Sequence, residues 1–209
     1  MTSSNISGES TGKINEILKA AQKRFGQFGL EKTTLREIAS DLNMTKSSLY
    51  YYFPDKEHLF KAVVEQEQNE FIAAISDKIK KLNDAEEMLK EYVRLRFLFF
   101  KSLLNLSRLR LENFKDLKPI LGDIWTYFRS REAKIIIYIL EKEIEKSNPE
   151  SVENVEETAL LFLDLLSGLH NIALKKNEIN ILEPEVYNKL AKRADMFTRI
   201  FIRGFRNNN

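Results

Sequence analysis

The sequence contains no cysteine, which removes disulfide frameworks, thiolate metal sites and cysteine nucleophiles from consideration. Histidine is almost as scarce. His58 and His170 are the two present and stand far apart in the chain, so a transition-metal enzyme is disfavoured and neither a metal nor a cofactor is expected. Seven glycines and four prolines are too few for a turn-rich all-β protein. No uninterrupted apolar run approaches the ~18 residues that a membrane span needs. The opening segment MTSSNISGESTG lacks the basic-then-apolar pattern of a secretion signal, so the expectation is a cytoplasmic chain with no membrane partner.

What is present favours a packed, helical protein. Hydrophobic residues make up 43% and charged residues 31% of 209 positions, which suits a folded chain of one or two domains. The net charge is +2. Residues 1–56 carry eight Lys/Arg against six Asp/Glu, and residues 57–209 carry 25 of each. The positive excess therefore sits in the first quarter, a slight pointer toward a nucleic-acid partner.

Residues 1–12 are Ser/Thr/Gly/Asn-rich and read as a disordered tail. Helical periodicity then continues almost to the end. Ile14, Ile17, Leu18, Ala21, Phe25 and Phe28 recur at spacings of three and four, the mark of an amphipathic helix, and Gly29 suits its C-terminus. Thr34 and Glu37 have capping-box spacing. Asn43 stands where a left-handed turn residue is needed. Thr45 caps a short helix over Lys46–Phe53, Pro54 interrupts it, and Asp55 caps a long helix from Lys56 to about Lys81. Asn83 and Glu86 repeat the capping spacing. Pro119 and Pro184 fit the first turns of later helices. The pattern gives an all-α fold of about nine helices. Ile135–Tyr138 is β-branched enough to mimic a strand, but its helical neighbourhood argues against one.

Residues 33–56 carry the chemistry. Two short helices joined by a tight turn at Leu42–Met44 outline a helix-turn-helix. Leu49 and Phe53, four apart, face inward. That leaves Lys46, Ser47, Ser48, Tyr50, Tyr51 and Tyr52 on outer or flanking faces. DNA rewards such a set. Lys46 and Lys56 suit phosphates and release counterions. Thr34, Thr45 and Ser47 offer hydroxyls to phosphate oxygens. Small residues at Ser47 and Ser48 allow close approach to base edges, and tyrosine rings suit thymine methyls.

At these residues the chain resembles the TetR family of transcriptional repressors. The resemblance covers about residues 13–60, through ILKAAQKRFGQFG and TTLREIASDLNMTKSSLYYYFPDKEHLF, of which LYYYFPDKEHLF is highly specific. It implies a DNA-binding domain over residues 13–56 and a divergent helical domain over residues 57–209 that binds ligand and dimerises. The recognition helix matches Thr45–Tyr52, with Tyr50 and Tyr51 against backbone and bases, Lys56 on a phosphate, and Thr34 and Arg36 at the start of the second helix. Asn43, Met44, Ser47 and Tyr52 depart from the residues common in the family, which bears on the operator sequence.

The remaining expectations concern the later helices. An aromatic set that includes Phe97, Phe100, Phe114, Trp125, Phe128 and Tyr138 is richer than core packing alone requires. In proteins of the resembled family this region encloses an inducer. We therefore expect a mainly apolar pocket using these side chains with Phe162 and His170, and an apolar small molecule as the ligand. For any one of these residues, and for His170 above all, core packing remains the competing reading. Glu65, Glu67 and Glu70 read as a solvated face; Arg94, Arg96, Arg108 and Arg110 could pair with an acidic ligand group, but solvated faces explain most of them. Phe162, Leu166, Leu169, Leu190, Phe197 and Phe201 give the last two long helices wide apolar faces. These are either buried within the subunit or form the four-helix seam of a homodimer, which is the arrangement the resemblance implies. The function expected is a ligand-responsive repressor acting on double-stranded operator DNA. The alternative is an all-α small-molecule carrier or enzyme that keeps only the fold, although no His/Asp/Glu cluster with catalytic spacing supports catalysis.

Overall fold

The computed structural model describes residues 3–102, 114–147, 154–177 and 184–207. Over these residues the protein is all-helical, in eight helices: α1 (Ser3–Phe28), α2 (Leu35–Asp41), α3 (Lys46–Tyr52), α4 (Lys56–Ile79), α5 (Ala85–Ser102), α6 (Phe114–Ser147), α7 (Val155–Asn177) and α8 (Pro184–Asn207). The ninth helix, expected in the stretch ending at Phe114, falls mostly on residues 103–113, outside the described ones. Ile135–Tyr138 lies inside α6. Among the described residues, no helix is long and apolar enough to cross a membrane. The chain divides into two compact units, Met1–Gln68 with Leu103–Ile124 and Asn69–Ser102 with Trp125–Asn209. The first takes in the opening turns of α4, past the sequence-based boundary after Lys56.

In the first unit, α1 begins at Ser3, so the segment read as a disordered tail is helical from that residue on. Once the inward face of Ile17, Ala21 and Phe25 is fixed, each residue added at the N-terminal end gains a hydrogen bond without a new nucleation cost. Gly29 ends α1 at φ 83°, and its N–H donates to the Phe25 carbonyl at 2.8 Å. The buried Thr33 hydroxyl closes the same end by donating to the Gly29 carbonyl at 2.7 Å. Ile17, Phe25, Ile38, Leu49 and Leu59 are buried together with Phe60, which meets Phe25 edge-to-face at 5.2 Å. Glu67 corrects the reading of a solvated carboxylate face. It is fully buried and accepts from Gln22 Nε2 at 2.9 Å, because the helical period turns it toward α1 while Glu65 and Glu70 stay exposed.

In the second unit, one cluster of buried residues runs through α4, α5, α6, α7 and α8, with Tyr92, Phe128 and Phe162 at its centre. The cap of α5 is Asp84, not Asn83: its carboxylate accepts from the N–H groups of Glu86 and Glu87 at 3.0 and 3.1 Å. At the far end of α8, Arg206 donates to the buried Glu143 at 2.8 and 3.0 Å and to Glu86 at 3.2 Å, tying α8 to α5 and α6. Arg96 departs from the solvated reading. It is buried and ion-paired to Glu132 at 2.7 Å, and the Tyr92 hydroxyl donates to the same carboxylate oxygen at 2.5 Å. The Arg96 guanidinium also donates to Ser167 Oγ at 3.3 Å. Burial works against the Arg96 charge, but the Glu132 carboxylate outweighs it and holds the guanidinium pKa above its usual value. Burial first, then the negative charge of Glu132, pushes the Tyr92 phenol well above its ordinary range. Proline at position 119 falls in the second turn of α6, because that helix begins at Phe114, rather than in the first turn as expected.

Candidate nucleic-acid interface

The turn between α2 and α3 is held by its own backbone. Leu42 and Asn43 N–H groups donate to Ala39 and Ser40 carbonyls at 3.1 Å each, and Met44 N–H reaches Ala39 at 2.9 Å. Asn43 adopts φ 51°, the left-handed conformation that Asn tolerates better than bulkier residues. Thr34 and Glu37 form the reciprocal capping box of α2. The Glu37 N–H donates to Thr34 Oγ1 at 3.3 Å, and the Thr34 N–H donates back to the Glu37 carboxylate at 2.9 Å. The Thr34 hydroxyl and backbone bonds, helped by Arg24, hold the Glu37 carboxyl below its usual range. Thr34→Ala removes the hydroxyl that accepts from the Glu37 N–H, leaving only the backbone half of the box, and is expected to cost about 1 kcal/mol, read as a lower urea midpoint; an unchanged midpoint would contradict this role.

Arg24 of α1 grips α2 from the other side. It forms a two-pronged ion pair with Asp41, through Nε and through Nη2 at 2.8 Å, and reaches Glu37 at 3.5 Å. The Arg24 hydrogen bond draws the Asp41 carboxyl below its usual value. Sequence reasoning missed this clamp, because residues 17 positions apart on different helices leave no periodic signal.

α3 is anchored by Leu49, which has no exposed surface. Thr45 caps it, accepting from the Ser48 N–H at 3.1 Å and sharing a 2.8 Å hydroxyl contact with Ser48 Oγ. Phe53 ends it in an extended conformation, φ −134°, which the following Pro54 favours. Around that anchor, Lys46, Ser47, Ser48, Tyr50 and Tyr51 are exposed and Tyr52 half-buried. Tyr51 is 84% exposed, far beyond what an aromatic ring at a packed surface retains. Its ring meets Tyr52 edge-on at 5.2 Å, and the Lys46 ammonium sits 5.2 Å from the Tyr50 ring centroid. Arg36 is exposed on α2, and Lys56 is half-buried at the first position of α4. Asp55 caps α4 through the His58 N–H at 2.7 Å; that bond and the His58 ring hold its carboxyl below its usual value.

The ten side chains named from the sequence thus fall on α2, α3, the start of α4 and their caps, within the first unit. The hydroxyls of Thr45 and Ser48 are engaged in the cap. Lys46, Ser47, Tyr50 and Tyr51 form the open face.

Of the eight residues named for an aromatic pocket, five have side chains among the described residues. Phe128 and Phe162 are buried in close contact with other rings, Trp125 is half-buried against Phe128 at 5.9 Å, and Tyr138 is exposed on the outer side of α6 beneath Lys142. The side chains of Phe100, Phe114 and His170 lie outside the described residues. Of the five described, Phe97 lines a cavity of about 940 Å³ in the second unit, built by the end of α4, α5 and α8. Its apolar wall is Leu82, Val93, Phe97, Leu98 and Ala191. Among the described residues, no group of three or more His, Cys, Asp or Glu is placed to hold a metal ion.

A capped, apolar-anchored helix of seven residues presented after a tight turn defines a helix-turn-helix unit of the DNA-reading class. Comparison with known proteins agrees. The model for bacterial regulatory proteins of the tetR family matches residues 17–63. A transcriptional regulator from Cytophaga hutchinsonii is 40% identical, with 92% of this chain and 98% of that chain covered and a TM-score of 0.80. The HTH-type transcriptional regulator RutR of Escherichia coli is 33% identical over 113 residues, 54% of this chain. This chain spans about half the length of that curated relative, 53%. A regulator from Saccharomonospora viridis, crystallised in complex with choline, shares the fold at 16% identity and TM-score 0.68, over 90% of this chain and 96% of that one. The chain belongs to the TetR family of bacterial regulatory proteins.

Proposed function

We propose that this protein is a dimeric, ligand-responsive DNA-binding regulator that acts in the cytoplasm as a repressor. The observation that carries the reading is the open face of α3, where Lys46, Ser47, Tyr50 and Tyr51 project from a helix locked by Leu49 and by the Thr45 cap. Such a face suits the major groove. Ser47 permits close approach, the tyrosines offer ring edges and hydroxyls, and Lys46, Arg36 and Lys56 offer charge to phosphates on either side. One short helix reads few base pairs. A twofold dimer doubles the contacts and matches half-sites one helical turn apart, ~34–36 Å.

The dimer seam we assign is the outer side of α7 and α8. Leu160, Leu161, Leu165, Met196 and Ile200 remain 40–63% exposed there, while Phe162, Leu166 and Leu190 are buried and Phe197 and Phe201 are half-buried against the core. Each helix therefore carries two apolar faces, one satisfied within the chain and one not. The ligand is a mostly apolar small molecule bound in the second unit, and it releases DNA to the extent that it binds the non-operator state more tightly. The S. viridis regulator, which shares this fold, holds a small molecule, consistent with that role.

The test is binding to a duplex that contains the promoter of the protein's own gene. Affinity at physiological salt well above that for an unrelated duplex is expected; affinity at the non-specific level would contradict the reading. Lys56→Ala should weaken binding to all sequences alike and make the salt dependence shallower by about 0.9 in log–log slope. An unchanged slope would reject the phosphate contact.

A further inference from the structure

The cavity between the end of α4, α5 and α8 is apolar at its wall and cationic at its rim. Five cations line it, Lys78, Lys81, Lys90, Arg94 and Lys192, against the carboxylates of Glu87, Glu91 and Asp195. Two of the cations are engaged. Lys90 pairs with Glu86 at 2.6 Å, and Arg94 makes a two-pronged pair with Glu91 at 2.7 Å. Asp195 pairs with Arg199 at 3.1 Å. Lys78, Lys81 and Lys192 make no ion pair within 4 Å among the described residues, although Lys78 is near enough to Glu91 to help hold its carboxyl below the usual range, and they come from two separate elements, the end of α4 with its following turn and the middle of α8. Beside them Leu98 keeps 47% of its surface exposed next to the buried Phe97.

This pairing of features selects a ligand class. A neutral apolar molecule would cover Leu98 and Phe97 but bring no charge to three lysines. A small polar anion would meet the lysines and leave the apolar wall wet. A molecule with one acidic head and a flexible apolar tail satisfies both, and about 940 Å³ lies within the ~300–1,000 Å³ range of small-molecule sites. Burying the tail supplies the driving force, and the head, held by ammonium groups at the rim, sets the orientation.

We propose that this cavity binds a free medium-chain fatty carboxylate, with the acid head on Lys78, Lys81 and Lys192 and the chain against Leu82, Val93, Phe97, Leu98 and Ala191. The proposal rests on the ligand-responsive reading above and gives it a site and a substrate class.

Calorimetric titration of the full chain, without DNA, with decanoate and with decanol separates head from tail. Saturable binding of one decanoate per chain is expected, with decanol at least ~tenfold weaker. The triple variant Lys78→Gln, Lys81→Gln, Lys192→Gln changes exposed positions only and should keep the fold, seen as an unchanged helical circular dichroism spectrum. It should lose the preference for decanoate. Ala191→Trp should weaken both probes by filling the wall. Decanoate that fails to saturate, decanol that binds equally well, or a triple variant that keeps the preference would overturn the proposal. Promoter-duplex binding is measured separately. Decanoate that binds but leaves the duplex bound supports this site and overturns ligand-triggered release. A promoter-bound protein that does not take up decanoate overturns this site and leaves the DNA reading standing.

Discussion

Replacing Glu132 with alanine is expected to destabilise the second unit by about 3–5 kcal/mol. Its carboxylate accepts from Arg96 at 2.7 Å and from Tyr92 at 2.5 Å, and all three side chains are buried. The ion pair itself is weak evidence for stability, because bringing both charges out of water costs much of what they gain together. Removing one partner is a different matter. The desolvation already incurred by Arg96 and Tyr92 then goes without this acceptor. Glu132→Gln, which still accepts, should lose less. The apolar set Tyr92→Phe, Arg96→Met, Glu132→Leu should recover most of the loss. Urea unfolding checks all three. A loss below ~1 kcal/mol for Glu132→Ala would contradict the account. The same cluster has a pH signature. The Tyr92 phenol is raised in the fold, so the folded state holds its proton where the unfolded state releases it. Its contribution is present below the ordinary phenol value of ~10 and is lost as pH rises above it. Tyr92→Phe should remove that alkaline component.

Ile200→Glu is expected to convert the proposed dimer to a folded monomer and to abolish sequence-selective DNA binding. Ile200 keeps 63% of its surface exposed, so the chain itself does not need it. In the proposed seam of α7 and α8 the position becomes buried, and a carboxylate there would face the partner's apolar side chains without a compensating charge. Several kcal/mol of desolvation per copy raises the dimer dissociation constant by about a hundredfold or more. Sedimentation should show the monomer, while helical content stays that of the wild type. DNA affinity should fall toward the non-specific level, because one reading head remains per complex. A variant that sediments as the wild type does would place the interface elsewhere.

Local signals carried much of this structure in the sequence. The Thr34–Glu37 capping box, the left-handed Asn43, the Gly29 terminus and the Pro54 stop depend on neighbours within four residues, and they delimit the helix-turn-helix almost residue by residue. The exposed set on α3 was legible for the same reason: once Leu49 points inward, the period of a seven-residue helix assigns every other side chain. Contacts between helices were not legible. Arg24–Asp41, Gln22–Glu67 and Arg96–Glu132 join residues 17, 45 and 36 positions apart, and charge alone made Glu67 and Arg96 look solvated. Which rings line a pocket was not legible for a related reason. Composition reports that rings are abundant in a region, but not whether they pack on one another, as Phe128 and Phe162 do, or surround a void. The cavity that Phe97 lines is walled largely by aliphatic residues and lysines, which are unremarkable in a sequence. α7 and α8 hid a second apolar strip, because Leu160, Leu161 and Leu165 sit among the core positions of the same helix and blur its periodicity.

The central claim is that the exposed face of α3 reads duplex DNA in twofold copy. Selection of bound duplexes from a randomised pool, at physiological salt, tests it in one measurement when run in parallel on the wild type and on Lys46→Ala, Tyr50→Ala, Tyr51→Ala together. The account expects the wild type to enrich an inverted repeat with half-sites ~34–36 Å apart and the triple variant to enrich nothing. Failure of the wild type to enrich any repeat, or recovery of the same repeat by the triple variant, would contradict it.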